Sequence, residues 1–160
     1  MFAERNVVTG LEMETAGRII AFVFLCLLFS LVAGIFYPIP SMARELTDFW
    51  DIFLTNFIIA NIMMIPVFGW IFAFMEMWIA GSIIASRLGT GLQAVFTILS
   101  YAYAWAEILA YAVFIATSFY LVRYIKDRDE EDLGKTILLY LIGTALLALG
   151  AYLEVLALAK

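Results

Sequence analysis

Histidine is missing from this 160-residue chain, and cysteine occurs once. Without histidine there is no imidazole base, no Cys–His pair and no His-ligated metal or haem within the chain. The lone Cys26 can form no intrachain disulfide and no thiolate cluster; it sits in an apolar run as a small packing residue. Charge is scarce as well, at 14% of residues, against about 25% in an ordinary soluble domain. The net charge of −5 leaves no basic stripe for nucleic acid and no polybasic anchor for anionic lipid. Three Asn and one Gln make up all the amides, an economy shared by thermophile proteins and membrane spans. The expectation is therefore no nucleic-acid partner, no cofactor, no metal site and no enzyme.

What is abundant is apolar surface. Hydrophobic residues make up 66% of the chain, and the mean hydropathy is +1.03. A small soluble domain leaves a large share of its surface wet and could not hide so much. Bilayer is the solvent to reason in. Four apolar stretches stand out, at 19–38, 52–86, 94–122 and 137–158. A helix needs about 20 apolar residues to cross about 30 Å of hydrocarbon. The first stretch is one span, closed by Pro38-Ile39-Pro40. Residues 1–18 before it read as a tail or interfacial helix carrying Phe2, Val7, Val8 and Leu11, and 19–160 as a single transmembrane domain. A cleaved signal peptide fits badly, because the leading segment is acidic and no small-x-small site follows.

The second stretch would make a straight helix of about 52 Å, too long for a membrane. Pro66 and Gly69 near its middle predict a break between about Ile65 and Trp70. That gives a helical hairpin whose uncharged tip is inside the membrane or packed on protein, or alternatively two full spans. The third stretch reads as one long helix of about 43 Å that tilts or protrudes. Gly89-Thr90-Gly91 is a turn, and the mixed charges of 123–135 read as an aqueous loop. The fold class is thus all-α: a polytopic transmembrane helical bundle of about five membrane helices.

Orientation follows the Lys/Arg count. If 52–86 returns the chain to the side it left, Arg5, Arg18, Arg123, Lys126, Arg128 and Lys135 share one side. Arg44, Arg87 and Lys160 share the other. Six against three places the N-terminus in the cytoplasm and the C-terminus outside the cell membrane.

Only three charged residues fall inside the four stretches, and all are acidic: Glu76, Glu107 and Glu154. Charges at mid-bilayer cost roughly 2.5–3.5 kcal/mol and mark functional candidates by default. No Lys or Arg within the stretches pairs with them, and desolvation without a cation favours the neutral acid. Tyr103, Glu107 and Tyr111 recur at i, i+4 and i+8 and share one helix face. That ladder suits an interhelical clasp in which a protonated Glu107 faces protein; a proton- or cation-handling site is the alternative. Glu154 lies nearer a helix end. Asn56 and Asn61 can bond neighbouring backbone, including groups freed by Pro66. Met63, Met64, Met75 and Met77 read as adaptable packing. Small-residue stripes at Thr144/Ala148/Ala151, Gly81/Ala85 and Ala102/Ala106/Ala110 mark helix contacts.

Together these features resemble the stage II sporulation protein M family of membrane proteins. The resemblance runs through Phe53-Leu54-Thr55-Asn56 to Gly69, then Ala80-Gly81-Ser82, where the family has an Asn-Gly pair. It continues in the segment from Ala102 to Ala110, like the family's proline-histidine-glycine run leading to a glutamate. It closes in the segment from Ala148 to Glu154, like the terminal helix with its late glutamate. Ala102 and Tyr103 stand where the proline and histidine would be, and Ala80 replaces the asparagine, so any role of that histidine is lost or passes to Tyr103. The resemblance covers roughly residues 50–158. It implies a compact polytopic scaffold without catalysis; the namesake resembles an anchor for wall-remodelling proteins during engulfment. Expected partners are membrane lipid, a second copy of the chain (a dimer first) and other membrane or wall-associated proteins. The alternative function is a small proton- or cation-coupled transporter or channel using the intramembrane glutamates.

Overall fold

The structure is a computed structural model that describes residues 2–39, 48–66, 68–128 and 130–159, with side chains in the first helix from Glu14 onward. Pro40, Arg44 and Lys160, all used in the sequence reading, lie outside the described residues, as do the side chains of Phe2, Arg5, Val7, Val8 and Leu11. Six helices follow one another: α1 (Phe2–Phe36), α2 (Phe49–Met63), α3 (Phe68–Leu88), α4 (Leu92–Leu99), α5 (Ala102–Asp127) and α6 (Glu130–Leu158). The all-α expectation holds. Four of them, α1 from Glu14, α3, α5 and α6, are long and apolar enough to cross a membrane. Helix α2, at 15 residues, rises only about 22 Å and is the short fifth member.

Residues 2–18 are helical and continuous with the first span: α1 runs unbroken for 35 residues, of which the part from Glu14 is the candidate crossing. Three expectations are revised. The third stretch is not one helix. It stops at Leu99, where the Ser100 hydroxyl bonds back to Thr97 O (2.6 Å) and Tyr101 is extended, and restarts at Ala102. Trp105 Nε1 donates to the freed Leu99 carbonyl at 2.7 Å, so the break leaves that group satisfied. Nor is 123–135 a loop, though its charges are largely exposed. Helix runs through Asp127 and resumes at Glu130, with Arg128 in the left-handed conformation (φ 56°) closing α5 by its N–H to Tyr124 O. Finally, the small-residue face of α6 is offset from the expected one: Gly143, Leu147, Gly150 and Ala151 are buried, while Thr144 and Ala148 are half-buried.

The Pro66 break falls where the sequence placed it. Helix α2 ends at Met63, and Phe68 N donates to Pro66 O (2.8 Å) while Gly69 N donates to Ile65 O (2.6 Å). Backbone thus closes the turn without help from Asn56 or Asn61. Gly69 is obligatory here, since a Cβ would run into the Met63 carbonyl. Pro66 shares a cavity wall with Ile19, Trp70, Phe119 and Arg123, so the hairpin tip reaches the Arg123 end of the bundle and packs on protein.

Contacts fix the helix directions. Ser30 Oγ donates to Phe74 O (2.8 Å), Trp78 Nε1 to Tyr37 O (3.1 Å) and Ile39 N to Ser82 Oγ (3.2 Å), so α1 and α3 run parallel. A Cβ on Gly34 would collide with the Trp78 carbonyl and one on Gly81 with the Leu31 carbonyl, so two glycines let these backbones touch. Helices α5 and α6 run antiparallel: Phe114 packs into Gly143, Glu107 into Gly150, and Arg123 Nε lies 3.1 Å from Asp132 Oδ2. Helix α5 is the hub, buried without interruption from Ala110 to Ser118. The outer faces of α1 and α6 expose Phe22, Leu25, Phe29, Leu141 and Tyr152, as lipid contact requires.

Candidate functional site

Helix α5 carries Tyr103, Glu107 and Tyr111 down one face, and all three line a single cavity of about 570 Å³. Asn56 of α2, Arg87 of α3 and Glu154 of α6 share its wall, with an apolar remainder that includes Leu31, Ile52 and Met77. The i, i+4, i+8 ladder is therefore one surface, as its spacing predicts. Its place along the helix differs from the sequence reading. Because the third stretch breaks at Ser100, Glu107 lies in the second turn of α5, near the end of the bundle where α6 finishes, and not at a helix centre.

Three helices meet at the Glu107 carboxyl. Asn56 Nδ2 donates to Glu107 Oε1 at 2.9 Å, across from α2. From α6, Glu154 stands on the same cavity wall as Glu107. Gly150 makes room for the Glu107 side chain, since a Cβ there would sit 2.8 Å from Glu107 Cγ. Asn56 thus bonds a side chain and not the backbone expected of it. Asn61 does bond backbone, donating to Phe57 O at 2.7 Å, and it also accepts from the Tyr140 hydroxyl at 3.3 Å. It stands outside the cavity.

Glu76 is apart too. It is half-buried near the middle of α3 and makes no hydrogen bond among the described residues, while its neighbour Met77 lines the cavity. Met63 and Met77 are buried and Met75 is exposed, which is packing and lipid contact. Among the described residues no group of three or more His, Cys, Asp or Glu is placed to hold a metal ion.

One cavity residue, Arg87, and the glycine behind Glu107, Gly150, escaped the sequence reading as parts of the site. Arg87 falls one residue beyond the second apolar stretch, yet α3 delivers it to the cavity within electrostatic reach of Glu154. A cation therefore does face the acidic pair, contrary to the expectation that none is available. Gly150 was passed over because a lone glycine carries no pairing signal. A signal for Arg87 existed: it ends a helix whose other end is the Pro66 turn, which puts it level with the start of α5.

No family model, no curated protein and no solved structure matches this chain.

Proposed function

We propose that this chain is an integral membrane scaffold or assembly protein, homo-oligomeric and without catalysis of its own, as its resemblance to the stage II sporulation protein M family implies. One observation carries the reading. The Glu107 side chain joins three helices: Asn56 Nδ2 of α2 donates to its carboxyl, and it packs into Gly150 of α6. No nucleophile–base pair accompanies them among the described residues. The protein lies in the cell membrane with its N-terminus in the cytoplasm, following the Lys/Arg count. Sporulation itself is not part of the proposal.

The clasp is tested by two substitutions. Glu107→Gln keeps a donor and an acceptor and should preserve fold and assembly. Glu107→Leu should destabilise the bundle by about 0.6–2 kcal/mol, read by thermal unfolding and by size in detergent. Equal behaviour of the two variants would remove the clasp from the account.

A second reading is favoured by the cavity itself, because a clasp alone needs no open space beside it. In that reading the Glu107–Glu154 pair handles protons or a cation for a small transporter or channel. Glu107→Gln would then abolish pH-dependent flux into liposomes while leaving the fold intact. Unchanged flux excludes this second role.

A further inference from the structure

The cavity contains more hydrogen-bonding capacity than the clasp consumes. Tyr111 is 4% exposed, lines the cavity, and its hydroxyl makes no hydrogen bond among the described residues. The hydroxyl is not fully enclosed, so it reaches the open space of the cavity. Burying a hydroxyl without a partner costs roughly 1–3 kcal/mol by mutational measure, which a ligand at this position would recover. Tyr103 also leaves its hydroxyl unbonded among the described residues, and it stacks on Tyr101 at 5.3 Å on the same wall.

Charge narrows the ligand. Glu107 and Glu154 line the cavity together and make up the acidic part of its wall. Arg87 supplies one positive charge on the opposite helix, with no ion pair of its own among the described residues. The lining is thus bipolar, with acid on α5 and α6 and guanidinium on α3. A purely cationic ligand leaves Arg87 facing its charge, and a purely anionic one meets the acidic pair. A molecule with both signs satisfies both ends. An ammonium donates to the carboxyl pair and packs on the phenol rings, as cations do on aromatic faces. A carboxylate or phosphate accepts from the guanidinium in its forked geometry. The volume of about 570 Å³ falls within the range of small-molecule sites, roughly 300–1,000 Å³.

We propose that the cavity between α2, α3, α5 and α6 binds a zwitterion, its ammonium at Glu107 and Glu154 and its anionic group at Arg87. The inference goes beyond the scaffold reading and does not rest on it. The ammonium–anion chemistry has two sources, a lipid headgroup or a free solute.

Both are probed by native mass spectrometry and titration of the full chain in detergent. The probes are phosphatidylethanolamine, phosphatidylglycerol with the same acyl chains, and leucine. Arg87 is exposed, so Arg87→Met keeps the fold where Glu107→Gln could disturb the clasp. Phosphatidylethanolamine binding at least tenfold tighter than phosphatidylglycerol, and weakened at least tenfold by Arg87→Met, supports the proposal with a lipid source. Leucine binding that Arg87→Met weakens to the same degree supports it with a solute source. The proposal is overturned if neither zwitterion binds, if phosphatidylglycerol binds as well as phosphatidylethanolamine and leucine does not bind, or if Arg87→Met leaves the binding unchanged. None of these outcomes depends on oligomeric state, so the scaffold reading stands or falls separately.

Discussion

Asp132 shows what one buried charge demands at the far end of the bundle from the cavity. It is 1% exposed, its Oδ2 meets Arg123 Nε at 3.1 Å, and its Oδ1 is enclosed without a hydrogen-bond partner. Removing one member of such a pair strands the other, which costs more than the pair contributes. Arg123 is half exposed and shares the turn with Lys135 over the Tyr120 ring, so the loss is moderated by solvent. Arg123→Gln should lower stability by about 1–3 kcal/mol, read as a fall in thermal midpoint in detergent, and Asp132→Asn in the same background should recover part of it. No recovery would mean that the two side chains are not coupled. The same scale explains what the sequence revealed of the cavity. Tyr103, Glu107 and Tyr111 were legible because a period of four along one helix needs no partner to be recognised. Their links to Asn56, Glu154 and Arg87 were not, because they cross between helices whose register depends on the breaks at Pro66 and Ser100.

At the scale of the elements, close approach is set by glycine. Gly34 and Gly81 let α1 and α3 meet backbone to backbone, whereas a Cβ on Gly134 of α6 would meet nothing within 4 Å. Gly81→Leu should therefore push the parallel pair apart and cost about 1–3 kcal/mol. Gly134→Ala should be neutral or stabilise by up to about 1 kcal/mol through helix propensity. Thermal unfolding of the two variants side by side checks both, and equal destabilisation would contradict the packing assigned to α1 and α3. Helix boundaries were unevenly legible for a physical reason. Pro66 announces itself, since proline removes a backbone donor. The Ser100 break does not, because it is made by a serine hydroxyl bonding its own helix and by Trp105 reaching back to Leu99. The charged run at 123–135 misled in the opposite sense: charges there sit on helix ends, with Glu130, Glu131 and Asp132 in the first turn of α6 where the helix dipole favours them.

For the whole molecule, the parity of crossings ties the fold to every functional reading. Parallel α1 and α3, with α2 returning between them and α5 and α6 antiparallel, put Thr15, Ile19, Pro66 and Arg123 at one end. Arg87, Tyr101 and Leu158 line the cavity at the other. Apolar composition made the helical bundle legible from the sequence, while which end faces the cytoplasm is an expectation from the Lys/Arg count. The depth of the hairpin tip was not legible, because no charge marks it. The bundle then predicts that the Glu14 end of α1 and the Leu158 end of α6 lie on opposite faces of the bilayer. Single cysteines at Asp127 and Ala159, in a Cys26→Ser background, measure this directly in sealed vesicles with a membrane-impermeant maleimide. The account predicts that the two positions label from opposite faces, Asp127 from the cytoplasmic one. Labelling of both from the same face would contradict the bundle's topology and with it the placement of the cavity.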